Sequence, residues 1–384
     1  MPLFAQVGGH ASTITSTGSI INKPSSAREK AFYTQLAPSL LPGFIGEWTP
    51  EFYGTLSLQG QMGQDGQIAP VTEGELGTKP REMLVLENIT YRFLRPNVLD
   101  IKLGAQLYDE DASEEKKLRM DEAAKATTSA QTGVRLTGFQ VLTTFSALLL
   151  GALNARHRQV WDDASKAYVV TPKDFGKAIT VPELSGGIAR FFYPPHGAAY
   201  TPPTPVVSTH AAAAPRAAIV PTPLPLELLV PVLNGVLARL QELLHLLDDT
   251  EIRIRGGSLL LVIEGDAKAL REATARSEES SPSARPSKQD RGGEGDVGDT
   301  EEEDDESETE SFSTTDGEGN AKAHTRLPWD LRLIDFAHVR AAPGEGKDEG
   351  FLKGIETTVK LIEDLRDWLE MEMEMEETTT QDIL

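Results

Sequence analysis

The chain has 384 residues, a net charge of −22, 39% hydrophobic residues and no cysteine. That length allows one two-lobed enzyme or two modest domains, and the missing cysteine excludes disulfides and thiolate metal sites and suits a reducing compartment, the nucleus or cytoplasm. The negative charge argues against an anionic ligand until it is located: residues 277–320 hold a net −13 and residues 363–384 a net −8, which leaves −1 for everything else and permits a basic pocket there.

The start, MPLFAQVGGHAS, has neither the basic residues nor the apolar run of a signal peptide. Glycines 8, 9 and 18 surround a polar loop that leads into Ile20-Ile21-Asn22-Lys23-Pro24. SSAREKAFYTQL reads as a helix capped by Ser25 or Ser26. GEWTPEFYGTLSL and MLVLENIT read as β-structure, and the Gly-rich stretch between them as a loop. Pro96–Gly104, PNVLDIKLG, follows, and residues 110–127 then form a helix pattern with Ser113 as its cap.

Residues 193–225 are rich in proline and alanine, and residues 277–325 in Ser, Glu and Asp. Both are expected to be disordered inserts, the second more strongly. Between them, Leu229, Leu233, Val236, Leu240, Leu243 and Leu247 form one apolar helical stripe, too interrupted by Pro, Glu and Arg to be a membrane span. RIRGGSLLLVIEGD reads as a strand, and so does WDLRLIDFAHV, which ends in an exposed Asp335. The seven histidines lack partners at metal-ligand spacing. Neither membrane attachment nor direct nucleic-acid binding is expected.

Three motifs carry chemistry. Asp100 and Lys102, two apart on a strand, share one face, where they could supply a cation for developing negative charge and a group that orients a reactant. An arbitrary Asp-x-Lys is far more often an exposed ion pair. Asp335 at the end of an apolar strand suits Mg²⁺ held by one carboxylate plus phosphates and water, although aspartate also caps strands with no such role. The glycine-bearing loop before Lys23 could approach phosphates, but glycines alone usually mark flexibility. The parts follow one another as in a two-lobed kinase, yet the protein-kinase and P-loop signatures are absent.

PNVLDIKLG matches the PxxxDxKxG signature of the inositol polyphosphate kinase family. IINKP, EKAFY, LENIT, LYDEDASEEKKLRM, TTSAQTGVRLTGFQV, GSLLLVIEGD, IDFAHV and PGEGKDEGFLKGIETTVKLI continue the resemblance in order. Asn97 and Gly257 depart from the pattern, standing where relatives carry Cys and Ser. The compact stretch from Gly104 to Gly138 resembles the fungal multikinases most.

The resemblance implies an α+β fold with two lobes. An antiparallel-sheet, ATP-binding N-lobe would span 1–90, and a larger catalytic and inositol phosphate-binding C-lobe 91–384. It implies that Lys23 binds ATP phosphates, that the main chain at Glu87 and Ile89 binds adenine, and that Lys102 contacts both the transferred phosphoryl group and the acceptor hydroxyl. Asp100 would orient ribose or acceptor hydroxyls, Asp335 would ligate Mg²⁺ with Ser258 assisting, and Lys116, Arg119, Lys117 and His338 would meet the inositol phosphate. The implied function is ATP- and Mg²⁺-dependent phosphorylation of inositol trisphosphate to tetrakis- and pentakisphosphate. The alternatives are a hexakisphosphate kinase that makes diphosphates and a nuclear regulatory scaffold that engages proteins through its acidic insert.

Overall fold

A computed structural model describes residues 14–58, 60–62, 68–70, 81–141, 169–171, 173–192, 224–280 and 327–383. Glycines 8 and 9, residues 193–223 and residues 281–326 lie outside the described residues.

The N-terminal sheet is antiparallel and runs β1 (Thr15–Thr17), β2 (Ile20–Pro24), β6 (Arg81–Glu87), β3 (Phe52–Leu58). Two residues, Gly18 and Ser19, connect β1 to β2. Gly18 sits at φ 59°, the geometry a two-residue hairpin turn asks of its first position. The Gly-rich stretch expected as a loop instead contains a second hairpin, β4 (Gly60–Met62) with β5 (Ile68–Pro70).

The helix expected at SSAREKAFYTQL is α1 (Ala27–Ala31), which continues through a π-helical segment (Phe32–Leu36) into α2 (Ala37–Leu40). Ser26 is the cap; its hydroxyl accepts the Glu29 N–H at 3.1 Å. A helical turn, α3 (Phe44–Glu47), follows and is interrupted by extended backbone at Ile45.

The second sheet is also antiparallel and has the order β12 (Trp329–Ile334), β11 (Ser258–Glu264), β7 (Pro96–Leu103), β8 (Val134–Val141), β9 (Val169–Thr171). Leu99, Ile101, Leu103, Leu259, Leu261, Leu331 and Leu333 alternate onto one face and are buried in the main core. α8 (Leu226–Asp248) lies in that core with all six stripe residues buried, and α10 (Glu349–Ile383) packs along it. α4 (Glu114–Lys125), α5 (Ser129–Thr132), α6 (Lys173–Ala178), α7 (Leu184–Phe192) and α9 (Ala267–Ser280) complete the helices.

RIRGGSLLLVIEGD is two strands and not one. β10 (Ile252–Ile254) pairs with β13 (Val339–Ala341) in a two-stranded antiparallel sheet of its own, and the chain turns at Gly256 (φ 68°) before β11 enters the large sheet. Residues 277–280, assigned above to the disordered insert, finish α9, whose start is capped by the Asp266 carboxylate. Phe32, Tyr33, Phe44 and Trp48 from the N-terminal third share the core of the large sheet, and the Leu333 N–H donates to Trp48 O at 2.7 Å.

Candidate active site

The other face of the large sheet carries the site. Lys102 lies opposite Ser258 in the register, and Ser258 opposite Ile334, so one row of the sheet ends beside Asp335. Asp100 lies two residues up β7, opposite Leu260, and Val98 opposite Val262 comes next. This face is therefore polar at the Lys102 end and apolar at the other, where Val98, Val262 and Leu260 pack with Ile89 and Phe93. Ile89, Phe93, Val98 and Val262 are buried there as a small apolar cluster beside the polar end.

Asp335 has φ 69°, the single positive value among described non-glycine residues, so its backbone is held in a conformation that costs energy. The turn aims its carboxylate at β2, where Lys23 Nζ meets Asp335 Oδ1 at 2.7 Å and Glu29 Oε1 at 2.7 Å. The aspartate expected to be exposed is thus ion-paired and one-third exposed. Burial would lower the Lys23 pKa, but the carboxylates of Asp335 and Glu29 outweigh it and push it to about 12. Lys23 is a permanent cation.

Burial acts in opposite senses on the pair in β7. It raises the Asp100 pKa, with the Asp335 charge adding to the effect, and it lowers that of Lys102. Lys102 Nζ donates to Gly256 O at 2.8 Å. Asp100 Oδ1 and Ser258 Oγ are buried without a hydrogen bond of good geometry, although the Ser258 hydroxyl lies close enough to favour the Asp100 carboxylate. Two such oxygens on one face are costly unless a ligand or ion meets them. Oxygen donors of this kind fit Mg²⁺. Among the described residues no three His, Asp or Glu cluster as metal ligands, so a cation at Asp335 would draw the rest of its shell from phosphates and water.

Where β6 ends, the Glu87 N–H donates to Glu51 O. Asn88, not anticipated from sequence, ties this strand end to the Gly18 turn. Its Nδ2 donates to Gly18 O at 2.9 Å and to Ser16 Oγ at 3.2 Å, and its N–H to Ser19 O at 2.8 Å.

His338 lies near this cluster, since its carbonyl accepts the Arg255 N–H and the next residue, Gly256, holds Lys102. His338 Nδ1 and Arg28 share Asp109 Oδ2, at 2.5 and 2.8 Å. Lys116 and Arg119 lie on α4, apart from the cluster. Among the described residues neither forms an ion pair, whereas Lys117 pairs with Glu114.

Sequence reasoning missed Glu29, Asn88, Arg28 and Asp109. Glu29 acts from a helix on a strand lysine six residues away, a spacing with no local periodicity to betray it.

A family model described as inositol polyphosphate kinase matches residues 83–206 and 226–363. The inositol polyphosphate multikinase of Saccharomyces cerevisiae is 28% identical over 93% of this chain and 96% of its own length. The multikinase of Schizosaccharomyces pombe is 29% identical over 49% of this chain and 61% of its own. Rat inositol hexakisphosphate kinase 2 is 26% identical over 78% of this chain and 55% of its own length. A solved structure of the S. cerevisiae multikinase Ipk2, in complex with ADP and Mn²⁺, superposes with a TM-score of 0.55 at 24% identity, covering 90% of this chain and 99% of that one. This likeness establishes the shared fold.

Proposed function

The chain belongs to the inositol polyphosphate kinase family, and we propose that it is an ATP-dependent multikinase that phosphorylates hydroxyls of inositol polyphosphates, taking trisphosphate to tetrakis- and pentakisphosphate. The observation that carries this reading is the meeting of Lys23, from the N-terminal sheet, with Asp335, beside Lys102 and Asp100 of the large sheet. Two cations and a metal-competent carboxylate converge at the polar end of the sheet face, beside a buried apolar cluster.

In this reading the Glu87 carbonyl and Ile89 N–H hold adenine, and Lys23 binds nucleotide phosphates. Lys102 leaves Gly256 O to stabilise charge on the transferring group, and Asp100 with Ser258 orients oxygen atoms in the cleft. Phosphoryl transfer through a loose transition state asks mainly for such positioning and charge. Asp335 would hold a divalent cation, Mg²⁺ in this proposal, which when bound would offset negative charge on the phosphate oxygens. His338, Lys116 and Arg119 meet the acceptor's phosphates. Support for the multikinase activity is that the S. cerevisiae multikinase matches nearly end to end, whereas the hexakisphosphate kinases match over about half their length.

Incubation of purified protein with ATP, Mg²⁺ and each inositol phosphate, followed by separation of products, tests the reading. Tetrakis- and pentakisphosphates are expected, and diphosphates alone would move the chain to the other branch. Residence in the nucleus or cytoplasm, with the acidic tract engaging regulatory proteins, belongs to the same proposal. It is supported by the net −13 of residues 277–320 and checked by imaging a tagged chain with and without residues 281–320.

A further inference from the structure

Next to His338 lies a basic notch. Arg255 and Arg340 approach one carboxylate, Glu110, from the end of β10 and from β13. Arg340 Nε and Nη2 reach Glu110 at 3.2 and 3.3 Å, and Arg255 Nη2 lies 3.6 Å from Glu110 Oε1. Each guanidinium already has another partner: Arg255 pairs with Asp348 at 2.7 Å, and Arg340 grips Glu345 at 2.6 and 2.8 Å. Glu110 is thus a further carboxylate drawn onto cations that are already paired. Arg253, directly across the ladder from Arg340, spends its donors on carbonyls and lies 3.7 Å from Glu345, so without Glu110 three guanidiniums share the two carboxylates Asp348 and Glu345.

The elements differ in how firmly they are fixed. Arg255 is only 11% exposed, and its Nε is buried without a partner. Glu110, by contrast, is half exposed and sits in the loop between β7 and α4. Its neighbours behave alike: Asp109 takes His338 and Arg28, and Asp111 takes Arg28. Three consecutive carboxylates therefore meet cations contributed by separate elements around the acceptor side of the site. A polyphosphorylated ring presents the same kind of partner, several anionic oxygen groups a few ångströms apart, each able to take a bidentate guanidinium.

We propose that Arg340 and Arg255 form a subsite for a phosphate group of the acceptor remote from the reacting hydroxyl, and that the Glu110 carboxylate occupies it in the free protein and is displaced on binding. This rests on the acceptor class proposed above. Contact with Arg340 keeps Glu110 ionised well into acid, so the occupant stays charged through the physiological range.

Binding of inositol hexakisphosphate without nucleotide, measured by equilibrium dialysis, is the test. Glu110→Gln is expected to tighten binding about threefold to tenfold at low salt, an advantage that shrinks as salt rises. Arg340→Gln is expected to weaken it by a similar factor, and in that background Glu110→Gln should no longer help. Glu227→Gln, which removes an equal charge on α8, should change nothing. If Glu110→Gln lowers the melting temperature but leaves hexakisphosphate affinity unchanged or weaker, the carboxylate is a structural strut and the subsite is wrong. Equal tightening by Glu227→Gln would also overturn it, because the effect would then be one of overall charge. Failure of the wild-type chain to phosphorylate inositol trisphosphate would refute the proposed activity, while the dialysis series would still decide the notch.

Discussion

At the scale of single residues, the site sets stability against chemistry at Asp100. Its pKa is raised in the folded chain, chiefly by burial, so at pH values between the unfolded and folded pKa the folded state binds the proton more tightly than the unfolded one. The cost of burying the charge appears as pH rises through the unfolded value and is complete above the folded one. Asp100→Asn should therefore raise the melting temperature at pH 7 while abolishing turnover, and the stability gain should shrink as pH falls towards 4. A melting temperature equal to or below wild type at pH 7 would show that Asp100 is satisfied in the fold. Lys102→Ala should lower kcat on the order of 100-fold or more with little change in the KM for ATP, because its charge acts on the group in transit. Asp335→Asn should remove metal-dependent turnover and leave Lys23 with Glu29 alone, so phosphate binding should weaken without loss of fold. Calorimetric ADP titration with and without Mg²⁺ checks this, since only the Mg²⁺-dependent part of the affinity should disappear.

At the scale of elements, α10 sits so close to the end of β7 that it tolerates almost no side chain there. A Cβ on Gly354 would lie 2.5 Å from Gly133 O and 3.2 Å from the N of Gly104, the last residue of the signature. Gly354→Ala should cost about 1–3 kcal/mol by forcing helix and sheet apart, read as a lowered midpoint in urea. The same steric logic explains Gly257, where relatives carry Ser: a side chain there would meet Ile254 and Phe351. Elements with strong period were legible beforehand. The stripe of α8 and the face-sharing of Asp100 and Lys102 follow from spacing, and both caps, Ser26 and Ser113, could be read from local chemistry. Two features were not. The split of β10 from β11 turns on the backbone angle of Gly256, which the apolar run beside it conceals. Helix α10 hides its buried Phe351, Leu352, Ile355, Ile362, Leu365 and Leu369 among acidic residues whose charge dominates a first reading. The Glu29 contact across the strand-to-helix junction and the long-range contacts of Asp109 depend on the tertiary fold and leave no mark in local pattern.

At the scale of the molecule, the two sheets are joined by a single core and by polar ties. Arg332 donates to the carbonyls of Gly46, Glu47 and Thr49 and pairs with Asp330, which also takes Arg92. The chain should therefore unfold in one transition, with calorimetric and van't Hoff enthalpies that agree, and a fragment ending at residue 90 should not fold alone. The acidic tract enters from the end of α9 and leaves into β12, elements whose neighbours in the sheet are already paired. Replacing 281–320 with a short Gly/Ser linker should preserve this transition and basal turnover, because closure entropy grows only with the logarithm of loop length. At low salt the KM for the anionic acceptor should fall, and a linker chain that does not fold would make the tract structural. Phe336, wholly buried behind Asp335, stacks on Phe32 with ring centroids 3.9 Å apart and meets Tyr33 and Phe44 edge-on. Phe32 lies three residues beyond Glu29, so the carboxylate behind Lys23 and the carboxylate in front of it hang from the two sides of one aromatic stack. For inhibitor chemistry this means that Phe336 is no movable gate: a compound designed to push that phenylalanine aside would have to dismantle the core.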